Sequence, residues 1–136
     1  MPAEATHQQP SPMNLPDPGP GQAKLCAPWS LCPPAGWDLV TMSWAQGLML
    51  NFIKTLPEMG SSLWMLVFVN SGVKLAVKDS PVLETLQKLE ENQVKVLVCG
   101  TCLEFFGLTD SREAGQTTNM LDIITAMSHA DKIVTI

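Results

Sequence analysis

The sequence predicts a parallel α/β layer architecture, and three observations predict it. Apolar runs alternate with segments of helical period along the chain. Those runs are continuous rather than alternating, as in strands covered on both faces. One of them, Val94-Lys95-Val96-Leu97-Val98, ends in the loop Cys99-Gly100-Thr101-Cys102. A thiol placed where a strand ends lies where open α/β sheets present their chemistry.

Size and composition set the frame. The chain has 136 residues, enough for one small domain. Its 46% apolar content suits a packed core, and its net charge of −5 argues against nucleic acid, whose phosphates need a basic patch. No apolar run approaches the roughly 20 residues of a membrane span, so no membrane partner is expected. The segment Met1-Pro2-Ala3-Glu4-Ala5-Thr6-His7 lacks a basic region followed by an apolar stretch. The absence of a secretory signal points to the cytoplasm, where thiols stay reduced, so the four cysteines are not read as a disulfide framework.

Nine of the eleven prolines fall between Pro2 and Pro34, in a segment with few aliphatic residues and no apolar period. Such a segment buries too little surface to offset its ordering entropy. Residues 1–36 are therefore expected as a proline-rich disordered tail, and residues 37–136 as the folded α/β domain. The first strand of that domain is doubtful: Leu39-Val40-Thr41-Met42 is a weak candidate. Residues 45–56 carry Leu48, Phe52 and Leu56 at helical spacing, with Met49 and Ile53 beside them, and stop at Pro57. Residues 63–69 form a wholly apolar strand. Ser80-Pro81 opens the clearest helix, with Val82, Leu83, Leu86 and Leu89 as its buried stripe and Glu84 and Lys88 as an i,i+4 pair.

Residues 94–98 are the next strand. Residues 102–106 make a single helical turn closed by Gly107, and the polar residues 108–118 make a loop. Thr118 or Asn119 caps a helix running to about His129, with Met120, Ile123, Ile124 and Met127 inward. Residues 132–136 are a last short strand. The order helix, strand, helix, strand, helix, strand is that of a parallel sheet.

Three loops lie outside the carboxyl ends of these strands. They are Asn70-Ser71-Gly72-Val73-Lys74, Cys99-Gly100-Thr101-Cys102, and residues 43–47 behind the doubtful first strand. Neighbouring strands would bring Lys74 near Cys99. A cation there, or the first N–H groups of the turn after Cys102, would lower a thiol pKa. The candidate catalytic residues are thus Cys99 and Cys102, and the candidate binding residues are Asn70, Ser71, Gly72, Lys74, Gly100 and Thr101.

Residue types alone leave several readings of the pair open. One cysteine carries a persulfide or perselenide; the two exchange as dithiol and disulfide; they are half of a zinc site; or Cys99 is a small apolar residue finishing its strand. Zinc needs two further ligands at matching spacing. Cys26 and Cys32 lie in the proline-rich segment and both histidines stand alone, so no metal is expected. No glycine-rich phosphate fingerprint follows any strand, and no cofactor is expected. His129 suits the end of its helix better than it suits catalysis.

A series of short motifs then follows in order: Asn70-Ser71-Gly72-Val73-Lys74-Leu75-Ala76, Ser80-Pro81-Val82-Leu83, Leu89-Glu90-Glu91, Cys99-Gly100-Thr101-Cys102-Leu103, Thr118-Asn119-Met120 and Ala130-Asp131-Lys132. Over residues 47–136 the series resembles the DsrE/DsrF-like domain of the sulfurtransferase-like selenium metabolism proteins of the YedF family. The resemblance implies a small three-layer fold with a parallel sheet between helices, and a homo-oligomer. It also implies a relay in selenium metabolism, in which a cysteine of residues 99–102 passes sulfur or selenium between donor and acceptor proteins. The alternative is a non-catalytic binding or assembly module for a sulfur or selenium enzyme. In the fuller family pattern a TusA-like domain with a Cys-Pro-x-Pro motif comes first. Cys32-Pro33-Pro34-Ala35 holds only part of that motif, and residues 1–44 are too few for the domain, so the companion is read as missing.

Overall fold

The computed structural model describes the backbone of residues 23–29 and 39–136, with side chains from Trp44 onward. Its centre is a parallel sheet of β1 (Ala23–Trp29), β2 (Leu63–Asn70), β3 (Lys95–Cys99), β4 (Gln116–Thr118) and β5 (Ile133–Val134), in the order β4-β3-β2-β1-β5. The helices are α1 (Leu39–Thr55), α2 (Leu83–Glu91), α3 (Gly100–Phe105) and α4 (Met120–Ser128). The steps from β1 through α1 to β2, and from β2 through α2 to β3, run one way along the sheet. Right-handed crossovers put α1 and α2 on one face, where they touch. The return from β4 through α4 to β5 runs the other way along the sheet, so the same handedness rule assigns α4 to the opposite face and gives three layers.

Burial on both faces explains why β2 is apolar throughout: Leu63, Trp64, Met65, Leu66, Val67 and Phe68 are all buried. In β3 the residues Val96, Leu97, Val98 and Cys99 are buried likewise. Met49, Ile53 and Leu56 descend onto this layer from α1 and the turn after it, and Val82, Leu86 and Leu89 from the α2 region. Leu48, expected beside them, is exposed.

The first strand is corrected. Leu39-Val40-Thr41-Met42 belongs to α1, and the strand lies upstream, at Ala23–Trp29, inside the stretch expected as a disordered tail. It pairs with β2 from Ala23↔Leu63 to Trp29↔Asn70 and with β5 at Lys24↔Ile133 and Leu25↔Val134. Its sequence, Ala-Lys-Leu-Cys-Ala-Pro-Trp, holds no β-branched residue, so propensity does not announce it. Among the described residues β5 pairs with Lys24 and Leu25 only, so the far half of β1, where Pro28 stands, has β2 as its one described neighbour, a place where proline is tolerated. Residues 1–22 and 30–38, including Cys32, lie outside the described residues.

Two further corrections concern the second half. The polar segment 108–118 holds a short strand, β4, and is tied to the segment after β2. Lys78 N–H donates to the Ser111 carbonyl (2.8 Å), and Glu113 and Ala114 donate to the Ala76 carbonyl (3.0 and 3.1 Å). In α4 only Ile123, Ala126 and Asp122 face inward; Met120, Ile124 and Met127, expected in the core, are exposed together with Leu121. This nine-residue helix is apolar nearly all round, so a periodicity argument finds two faces and cannot choose between them. The helix of Ser80-Pro81 begins slightly later than its caps suggest, because the Ser80 hydroxyl accepts from the Val82 N–H (3.4 Å) in a turn before α2.

Candidate functional site

The parallel register Phe68↔Val98 sets the ends of β2 and β3 side by side, and the two loops that follow make the site. β3 hands over to α3 without an intervening loop: Cys99 is the N-cap residue and Cys102 the third residue of the helix. An N-cap side chain and the side chain three residues on face each other at the start of a helix. Here both are thiols. Cys99 is buried and Cys102 half-buried, and both are free.

The loop after β2 closes over the same sulfur. Asn70 has φ 52° and ψ −137°, a conformation costly for any residue with a Cβ. In that conformation its N–H donates to Cys102 Sγ at 3.1 Å. The next residues, Ser71, Gly72 and Val73, turn inward and are buried.

Electrostatics here run against the expectation of an acidified thiol. Burial pushes the Cys102 thiol above its ordinary range, and the neighbouring Cys99 side chain raises it further by hydrogen bonding and by charge. Only the Asn70 N–H pulls the other way. Lys74, expected to supply a cation, contributes nothing to that shift. Its ammonium sits over the Phe106 ring, 4.4 Å from the centroid, and Phe106 packs edge-to-face on Phe105.

The structure thus brings together Cys99, Cys102 and the Asn70 backbone, and sets Lys74 beside α3 but aims it at an aromatic face. Thr101 is exposed. Gly100 has a packing reason: a Cβ there would stand 3.0 Å from Thr117 Cγ2 and 3.3 Å from the Thr118 carbonyl oxygen. Residues 43–47, expected as a third loop, are inside α1.

Sequence reasoning missed Phe106 as the platform under Lys74. It also missed a buried polar pair beside the site. Thr118 pairs with Cys99 in the β3–β4 register, and its hydroxyl donates to Asp122 Oδ2 at 3.2 Å. Asp122 is held there because Asn119, the N-cap of α4, accepts from its N–H (2.9 Å). The signal for it was Asn119 followed three residues later by an acid, a capping pattern.

A groove of about 960 Å³ opens elsewhere, lined by Pro57, Trp64, Glu90, Gln93, Lys95 and Gln116 among others. It lies at the amino ends of β2 and β3, the opposite end of the sheet from the sulfurs. Among the described residues no group of three or more His, Cys, Asp or Glu side chains could hold a metal ion, and no helix is long and apolar enough to cross a membrane.

Two of the solved structures that share the fold show the likeness. The ychN protein from E. coli is 18% identical, with a TM-score of 0.59 over 85% of this chain and 99% of that one. A conserved protein of unknown function from Bacteroides thetaiotaomicron, BT1422, is 17% identical, with a TM-score of 0.52 over 83% of this chain and 94% of that one. No curated protein matches the sequence. The model of the DsrE/DsrF-like family matches residues 40–136, the greater part of the chain and the whole of the site built above. The chain belongs to the DsrE/DsrF-like family.

Proposed function

We propose that this protein carries sulfane sulfur, or its selenium counterpart, as a persulfide or perselenide on Cys102. The observation that supports the reading is the contact between Asn70 N–H and Cys102 Sγ at the mouth of the sheet. Cys102 is the more reachable of the two thiols, since Cys99 is 1% exposed. Loading begins when the Cys102 thiolate attacks the outer sulfur of a donor persulfide. The new S–S bond forms as the donor leaves as a thiolate. Transfer reverses this: an acceptor thiolate takes the outer sulfur, and the electron pair of the broken bond returns to Cys102 Sγ. The Asn70 N–H points at the atom that receives that pair. The raised thiol pKa makes Cys102 a reluctant leaving group, which slows loss of the outer sulfur to a passing thiol. Association of the family with sulfur relay supports the same reading.

The partners are donor and acceptor proteins of a sulfur or selenium pathway in a reducing, cytoplasmic setting. The protein acts as a homo-oligomer. The exposed apolar row Met120, Leu121, Ile124 and Met127 on α4 supports assembly, and also the alternative of a docking module with silent thiols.

The deciding experiment incubates the protein with a cysteine desulfurase and cysteine and reads added sulfur by mass spectrometry. Added sulfur on the peptide of residues 96–112, lost in Cys102→Ser, is expected. A folded protein that never gains sulfur on that peptide leaves only the docking module.

A further inference from the structure

The relay reading uses Cys102 and leaves Cys99 without a task, although Cys99 is the N-cap residue three positions before Cys102, on the same first turn of α3. We infer that Cys99 is a resolving thiol: it attacks the persulfide on Cys102, closes a Cys99–Cys102 disulfide and releases the cargo as hydrogen sulfide. The inference rests on the persulfide reading and adds a second fate for the bound sulfur.

The placement carries the argument. Cys99 is the N-cap of α3 and Cys102 the third helical residue, so their side chains meet by the geometry of the helix start. Cys99 is 1% exposed, so no donor or acceptor protein can reach it from outside. Among the described residues, the electrophile such a thiol can meet is a sulfur already bound at Cys102. Its near-fixed position replaces an encounter from solution with an intramolecular step.

The sulfur under attack follows from leaving-group strength. A persulfide can be attacked at its outer sulfur, expelling the cysteine thiolate, or at its inner sulfur, expelling hydrosulfide. Burial and the Cys99 neighbour disfavour a thiolate at Cys102, whereas hydrosulfide is the weaker base and leaves more readily. Cys99 Sγ therefore bonds to Cys102 Sγ, and the bond from Cys102 Sγ to the outer sulfur breaks. The proton of Cys99 leaves with the hydrosulfide. The two cysteine sulfurs are oxidised to the disulfide as the outer sulfur is reduced to sulfide, so no outside reductant enters this step. A cellular dithiol then resets the pair by exchange.

The test loads the full chain with inorganic polysulfide without oxygen, removes the excess donor, and follows the peptide of residues 96–112 with time. The wild type should gain one sulfur atom. It should then pass to a species two hydrogens lighter than the dithiol, with one equivalent of sulfide released. In Cys99→Ala and Cys99→Ser, two variants that perturb the buried site differently, the added sulfur should persist at least about ten times longer and no disulfide should form. Equal persistence in wild type and both variants overturns the resolving role while leaving the persulfide intact. A wild-type peptide that gains no sulfur overturns the persulfide reading and this inference with it.

Discussion

The Asn70 N–H donates to Cys102 Sγ at 3.1 Å, joining the end of β2 to the first turn of α3. Asn70 holds this position at φ 52°, ψ −137°, where a Cβ is unwelcome. Glycine adopts that backbone without the Cβ cost and keeps the N–H. Asn70→Gly should therefore raise stability by about 1 kcal/mol in urea unfolding and leave sulfur loading on Cys102 unchanged. Asn70→Val should lower stability. A glycine variant that is both less stable and poorly loaded would show that the Asn70 side chain, not its backbone, supports the sulfur.

The direction of the Cys102 shift fixes a pH dependence. The thiolate is the nucleophile, and a thiol raised above its ordinary value yields it only at correspondingly higher pH. Alkylation of Cys102 by iodoacetamide, followed on the peptide of residues 96–112, should rise with pH to a midpoint above that of an unperturbed cysteine. Cys99→Ala removes both the hydrogen bond and the charge that hold the thiol up, so its midpoint should move down. Burial remains in that variant, so the midpoint should stay above the ordinary range. An upward move would mean that Cys99 stabilises the thiolate.

The buried strands and the cysteine loop were legible because their signals are local. A continuous apolar run such as residues 63–68 has few other uses in a chain of this length, and Cys99-Gly100-Thr101-Cys102 abuts one. The first strand was not legible because Ala23–Trp29 leans on its neighbours: β2 and β5 supply the partners, and the residues, with no β-branched side chain among them, supply little propensity. Lys74 shows a related limit. Loop position brings it near α3, but the aromatic face that captures it belongs to Phe106, more than thirty residues on. Cys102 shows the same limit from the electrostatic side. Its spacing suggests an activated thiol, whereas burial and a second sulfur decide the sign of its shift.

Gly115 marks another long-range demand. It has φ 73°, and a Cβ built on it would stand 2.8 Å from Val96 Cγ1 and 2.9 Å from the Val96 carbonyl oxygen. The chain entering β4 thus passes against β3 closer than any side chain allows, with the Arg112 guanidinium donating to the Gly115 carbonyl. Gly115→Ala combines backbone strain with overpacking and should cost about 2 kcal/mol or more in urea unfolding. Because β4 pairs Thr118 with Cys99, the same variant should speed alkylation of the buried Cys99. An unchanged unfolding midpoint would mean that β4 is not docked against β3.

Assembly makes the last prediction. On α4, Ile123 and Ala126 face the core, while Leu121 is 62% and Ile124 54% exposed, with Met120 and Met127 on the same outer side. Burying these four side chains against a second copy would remove enough apolar surface to matter at roughly 25 cal/mol per Å². Putting a charge among them would force its desolvation in the interface but leave it in water on the monomer. Ile124→Glu should therefore shift sedimentation from an oligomer to a monomer without loss of helical circular dichroism. A wild-type chain that sediments as a monomer would remove the oligomer. A variant that keeps the wild-type assembly would place the interface elsewhere and leave the apolar row for a different protein.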